Sequence, residues 1–446
     1  MIRPTAGLAV VALVALSALL SMTGVAAAQT PLTLQDALAR ARAQNPEAAG
    51  TRAAEREAEH RVTQARAGYL PRVDVVESWQ RGNQPVFVFG SLLGQRQFTA
   101  ADFALEALNH PDATDNFRTA LMVEQSLFNG ATTAGLAAAE VGRDMAAARR
   151  SMVGSALAAD VTAAYGRALA AAAMRRAAAG AVEAAGADRE LAANRRDAGL
   201  VTDADVLQTD VHVSRARERQ IHAAAQDHIA RLRLNELMGE PLDAVFVLED
   251  AAAGPSVDPG ALATLEEEAL AHRPDVRLAA LEEQLAATAR TAARAAFLPQ
   301  VAVQGGWELN GGTWTSRESS WAVGLVARVN VFNGLSDRAR LAEAREQATR
   351  RTFEREKTQT AVRLDVRVAL ARLEAARASE VVGRAAVEQA RESQRIIRDR
   401  YEAGLTDVAS LLRAADAVAQ ADAQQIAAQA TILIETAALE RTLGRQ

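Results

Sequence analysis

The chain has 446 residues, of which 49% are apolar, 24% charged and 4% aromatic, with a net charge of −5 and no cysteine. That composition excludes a disordered chain, and an acidic balance with arginines interleaved among glutamates argues against a nucleic-acid partner. Without cysteine there can be no disulfide, thiolate metal site, iron–sulfur cluster, cysteine nucleophile or lipid anchor on an N-terminal cysteine.

Arg3, the apolar run Leu8 to Leu20 and Ala26-Ala27-Ala28 before Gln29 predict an export signal over residues 1–28. The alternative, a membrane anchor, needs roughly 20 apolar residues, and this run is shorter. No later run matches it. The mature chain is expected either to be soluble outside the cytoplasm or to enter a membrane as β-strands.

Two copies of one pattern follow. Pro46 and Pro71 are 25 positions apart, as are Pro274 and Pro299. Phe128-Asn129-Gly130 is matched by Phe332-Asn333-Gly334, and Ala198-Gly199-Leu200 by Ala403-Gly404-Leu405. Both copies close on a leucine near a glycine, at Leu237-Met238-Gly239 and Leu443-Gly444. Landmarks repeating in order and spacing mark a duplication. The first repeat is assigned to 29–239 and the second to 274–446. A belt at mid-height is assigned to 240–273, with Pro241, Pro255 and Pro259.

In chain order, a helix is predicted over 46–69, with Pro46 in its first turn. Pro71 switches the chain to extended structure, with strands near 71–80 and 115–128. Val73, Val75 and Trp79 share one face and Asp74, Ser78 and Gln80 the other, although Glu77 breaks the apolar face. Phe117, Leu121, Val123 and Leu127 likewise oppose Arg118, Glu124 and Ser126. A long helical hairpin follows at 130–238, made of 130–197 and 204–238 around the Gly199 turn. The second repeat predicts a helix over 274–297 and strands near 300–310 and 318–332. Val301, Val303, Trp307 and Leu309 oppose Gln304, Glu308 and Asn310. Trp321, Val323, Leu325, Val329 and Val331 oppose Ser320, Arg328 and Asn330. A second hairpin fills 334–443, made of 334–402 and 406–443 around Gly404.

A helix of some 68 residues is about 100 Å long. Its return path is expected from shorter helices stacked end to end, 204–238 with 274–297, and 406–443 below 46–69. The four tryptophans (Trp79, Trp307, Trp314, Trp321) lie in or beside the strands, while Tyr69, Phe128, Phe297 and Phe332 mark the opposite strand ends. Two aromatic levels around an apolar band are the pattern of a transmembrane β-barrel in outer-membrane lipid. Four strands are too few to close one, so several chains must share it. Residues 82–114 make the first strand pair longer than the second. This insert is expected at the extracellular mouth, as a lid or an adaptable loop. Its apolar content favours the lid.

The duplicated Leu-Pro switch (Leu70-Pro71, Leu298-Pro299), Phe-Asn-Gly and Gly-Leu (Gly199-Leu200, Gly404-Leu405) resemble the TolC-like outer-membrane efflux factor family over nearly the whole mature chain. The fold class is then mostly α with a small β part, a duplicated strand–strand–long-helix–helix unit. The resemblance implies a homotrimer with a 12-stranded barrel and a 12-helix periplasmic tunnel, docking on a periplasmic adaptor protein and an inner-membrane pump. No cofactor and no nucleic acid are expected, from the motifs the sequence lacks and from its acidic balance. The resemblance makes the Gly-Leu turns the periplasmic tip and Tyr401 a gate residue. Some members carry an acidic ring where this chain has Ser410 and Arg413; the first-copy equivalents are Asp205 and Gln208. Asp203, Asp205 and Asp407 are the candidate carboxylates, with helix N-capping as the competing role for Asp203 and Asp407.

An enzyme is disfavoured. None of the six histidines sits in HExxH, and GxSxG and GxxxxGK[ST] are both missing from the sequence. A periplasmic adaptor or a coiled-coil scaffold without a barrel is the alternative. The first would show one hairpin flanked by small β-domains, and the second leaves the period-two segments unexplained.

Overall fold

The computed structural model describes residues 31–250 and 262–445. The predicted export signal and belt positions 251–261, with Pro255 and Pro259, lie outside the described residues.

The elements in order are β1 (Pro31–Leu32), α1 (Leu34–Gln44), α2 (Pro46–Ala67), β2 (Arg72–Gly82), α3 (Pro85–Gly94), α4 (Leu105–Asn109), β3 (Thr114–Phe128), α5 (Gly130–Asp197) and α6 (Asp203–Met238). They continue with β4 (Val247–Leu248), α7 (Leu262–His272), α8 (Pro274–Ala295), β5 (Gln300–Gly311), β6 (Glu318–Arg328), α9 (Ser336–Glu402) and α10 (Val408–Thr442). Among the described residues no helix is long and apolar enough to cross a membrane.

Local chemistry accounts for the boundaries. Pro46 opens α2, and the Asn45 side chain accepts from the Glu47 and Ala48 amides. Pro274 opens α8 in the same way. Phe-Asn-Gly begins both long helices, by different means. In the first repeat the Asn129 side chain caps α5, and a Cβ on Gly130 would lie 2.7 Å from Ala295 Cβ. In the second repeat Gly334 and Leu335 both adopt positive φ, and α9 starts two residues later than expected. Strand β6 also stops at Arg328, so Val329, Val331 and Phe332 lie beyond it.

Strands β2, β3, β5 and β6 form one antiparallel sheet in that order. The register aligns the predicted faces across all four strands. Val75, Leu121, Trp307 and Trp321 make one cross-strand row, and Val73, Val123, Gly305 and Val323 the next. A bulge between Ser126 and Phe128 corrects the expected place of Leu127, because Phe128 instead pairs with Val301. Glu77, the exception on the apolar face, pairs with Arg317 at 3.3 Å and accepts from the Thr119 hydroxyl. The β5–β6 turn brings Arg317 over this face, and the Trp314 ring covers its guanidinium at 3.8 Å.

The helices stack differently from the expectation. Gly239, at the end of α6, is left-handed, and a Cβ there would come within 2.7 Å of the Gln44 carbonyl. Asn45 Nδ2 donates to the Leu237 carbonyl at 3.0 Å. So α6 stands beneath α2. Gly444 meets the His272–Arg273 backbone identically, so α10 stands beneath α8. Each repeat therefore closes on its own short helix. Pairing with the other repeat would leave these left-handed caps without the kinks they fit. Across the molecule the order is α2 over α6, then α5, then α8 over α10, then α9. The joint is fixed by β1, which pairs in parallel with β4. Beside it, buried Tyr165 in mid-α5 places its hydroxyl between the carbonyls of Leu32 (2.6 Å) and Glu249 (2.7 Å). Two apolar clusters flank this level, one around Leu234 and Met238 and the other around Leu439 and Leu443.

Candidate functional site

The end of the molecule farthest from the sheet carries the two Gly-Leu turns. Both have the same backbone. Gly199 and Gly404 have φ of 72° and 76°. The Leu200 amide donates to the Arg195 carbonyl at 2.9 Å, and the Leu405 amide to the Arg400 carbonyl at 2.8 Å. These are Schellman caps, in which glycine supplies the left-handed residue. They leave Leu200 and Leu405 exposed at the tip.

The acidic candidates are all at the helix starts. Thr202 caps α6, and the Asp205 carboxylate accepts from both the Thr202 amide and hydroxyl at 2.8 Å. In the second repeat the chemistry is reversed: Asp407 is the cap and accepts from the Ser410 amide at 2.8 Å. Hydrogen bonding from Ser410, its side chain first and its amide second, holds the Asp407 carboxyl below the usual carboxylate range. Arg413 donates to the Ser410 hydroxyl. Asp203 is solvent-exposed and 3.7 Å from Arg196.

Tyr401 lies inside the tip, 1% exposed, among Leu191, Ile397, Val408, Leu411 and Leu412. Burial pushes its hydroxyl above the ordinary tyrosine range, and that hydroxyl has no hydrogen-bond partner among the described residues. Arg195 of α5 stands 5.0 Å from the Tyr401 ring centroid and donates to the Glu402 carbonyl at 2.7 Å. One turn higher, Arg398 of α9 donates to buried Asp188 of α5 at 2.6 Å. Burial pushes the Asp188 carboxyl up, and Arg398 opposes that shift. Two arginines thus tie α5 to α9, helices that α10 separates along most of their length. The sequence marked Tyr401 but neither arginine. Their partners lie about 200 residues away in the chain, and no local spacing announces such pairs.

The aromatic candidates fall at several heights. Tyr69, Phe128, Phe297 and Phe332 lie near the helical end of the sheet, where the Tyr69 hydroxyl donates to Thr133 Oγ1 at 2.9 Å. At the other end Trp79, Phe117 and Trp314 form a chain of ring contacts at 6.3 and 6.1 Å. Trp307 and Trp321 pair across β5 and β6, four residues inside the Trp79 row, or about 13 Å along the strand.

A family model described as "Outer membrane efflux protein" matches residues 37–240 and 265–445. Protein CyaE of Bordetella pertussis is 29% identical over 310 residues, 68% of this chain; the match spans 65% of that relative's length. Among solved structures, the outer-membrane channel OprN superposes with a TM-score of 0.77 at 21% identity, over 93% of this chain and 90% of the other. The outer membrane protein VceC of Vibrio cholerae gives 0.77 at 18% identity, over 92% and 96%. The MtrE outer membrane channel of Neisseria gonorrhoeae gives 0.73 at 20%, over 92% and 89%. At these identities the likeness is one of fold.

Proposed function

The chain belongs to the outer membrane efflux protein family, and on that premise we propose that it is the outer-membrane channel of a tripartite export system. It would conduct cargo passively from an inner-membrane pump and a periplasmic adaptor. One observation carries the reading. The sheet and the helical layer leave the same two sides open. Among the described residues nothing pairs with the outer edge of β2 or of β6. The helices continuing from those strands, α2 over α6 and α9, are likewise the outer members of their layer. An open edge can be satisfied by the opposite edge of another copy, and such head-to-tail contacts close into a ring where the rotation between copies closes. Three copies would supply twelve strands, enough for a barrel, above a twelve-helix tunnel.

In this reading the apolar sheet face meets lipid and the polar face lines the duct. The Tyr401–Arg195 and Asp188–Arg398 contacts hold the tip shut. An adaptor that binds the released conformation better would shift the population toward it, and exposed Leu200 and Leu405 offer it apolar contacts. Asp205→Asn keeps an acceptor for the cap and removes the charge. A fall in cation selectivity in bilayer recordings is expected, and an unchanged reversal potential would remove Asp205 as a filter residue.

The test of the function is native mass spectrometry on protein extracted from separated membranes. A trimer from the outer-membrane fraction is expected. Recovery as a soluble periplasmic protein would defeat the channel and favour an adaptor or scaffold.

A further inference from the structure

The insert between β2 and β3 is anchored to the polar face of the sheet at its outer end. Gln95, 3% exposed, donates to the Asp115 carbonyl at 2.8 Å and to Asn116 Oδ1 at 3.1 Å. Asn116 donates to Asn310 at 3.0 Å, and a Cβ on Gly94 would touch the Asn310 side chain. Arg96 donates to the Ser319 carbonyl at 3.2 Å. The insert therefore reaches three strands, β3, β5 and β6. It also has a core of its own: Phe98 stands edge-on to both Phe89 and Phe103, with centroids 4.9 Å apart in each case.

Helix α3 buries Val88 and Ser91 on the side of the sheet. Its opposite stripe, at a spacing of seven, is Val86 and Leu93. Val86 is 86% exposed, and Leu105 in α4 is 77% exposed. Folding within one chain gives no reason for a helix on a polar wall to turn valine and leucine toward water.

We propose that these stripes form an apolar constriction of the channel's outer mouth, each meeting the stripes of the other two copies around the axis. The proposal rests on the channel reading above. The second copy is the indicated occupant because the insert grows from β2, whose open edge is where the neighbouring copy joins. A narrow passage lined with apolar side chains wets poorly and obstructs ions beyond its geometric width.

The test is single-channel conductance in planar bilayers, with native mass confirming the oligomer of each variant. The first variant deletes residues 84–112 and carries Ala113→Gly. It leaves Asn83 and the new glycine between Gly82 and Thr114, which already pair. Asn-Gly is the favoured two-residue hairpin turn, so the strands keep their register. The second variant, Val86→Ser with Leu93→Ser, keeps the insert and removes its apolar stripe. Both should raise conductance roughly twofold or more. A rise in the deletion alone would make the insert a plain obstruction and overturn the apolar constriction. No rise in either would overturn the lid altogether. If the unaltered protein formed no oligomer and no channel, the channel reading itself would fall, and this proposal with it.

Discussion

In the proposed channel, Tyr401 separates two ways in which a tyrosine could hold the tip closed. Its hydroxyl is buried without a partner among the described residues, while its ring is packed by leucines and faced by Arg195. On the proposed gating, the ring is therefore the working part. Tyr401→Phe should leave the resting conductance unchanged, whereas Tyr401→Ala should raise it, read in planar bilayers. A leaky Phe variant would show that the hydroxyl matters instead. Tyr165 makes the opposite use of the same side chain. Its hydroxyl serves two buried carbonyls, so Tyr165→Phe should destabilise the joint by about 1–3 kcal/mol in denaturant unfolding. Burial pushes this hydroxyl from 10.0 up to about 12. Between those values the unfolded chain has released the proton and the folded chain has kept it. Its contribution to stability is therefore full below pH 10 and falls as pH rises from 10 to 12. The Phe variant should lose that part of the alkaline slope.

At the scale of elements, the left-handed glycines divide into two kinds. Gly199 has open space where a Cβ would go, and only its φ resists substitution. Gly239 adds a collision with the Gln44 backbone. Gly199→Ala should cost about 1 kcal/mol, and Gly239→Ala roughly 2–3 kcal/mol with loosening of α6 from α2. Comparing the two melting curves checks this, and equal losses would mean the joint is not tightly fitted. The duplication, the long helices and the alternating strands were legible because period, proline and glycine write them locally. Helix α5 came out at its expected bounds for that reason. The stacking partners did not. The expected and the observed pairings satisfy the same length arithmetic, and only the fit of Gly239 and Gly444 on the kinks before Pro46 and Pro274 tells them apart. The bulge at Leu127 was equally hidden, since one extra residue leaves no mark in an alternating pattern. Of the tip carboxylates, the cap at Asp407 was legible through the preference of helix starts for aspartate; the same expectation for Asp203 is corrected, because Thr202 takes the cap and Asp205 completes its capping box.

For the whole molecule, the register makes one sheet face largely apolar, with Glu77 and Thr119 as exceptions, and in the proposed barrel the assembly should feel this. Val323 is on that face and Ser320 on the other. An arginine on a lipid-facing strand costs about 2–4 kcal/mol at mid-bilayer. Val323→Arg should therefore reduce the yield of outer-membrane oligomer, and Ser320→Arg should not. Equal yields would mean that neither face meets lipid. The two repeats share one backbone plan, yet only the first carries the insert, and the tip acid occupies a different position in each. In the proposed ring, a unit kept as a separate gene product would repeat any change at every position. Fusion in tandem halves that multiplicity. An elaboration can arise at alternate positions while the intervening ones keep the ancestral form. One strand pair thus carries some thirty residues that its sister, a short hairpin, lacks.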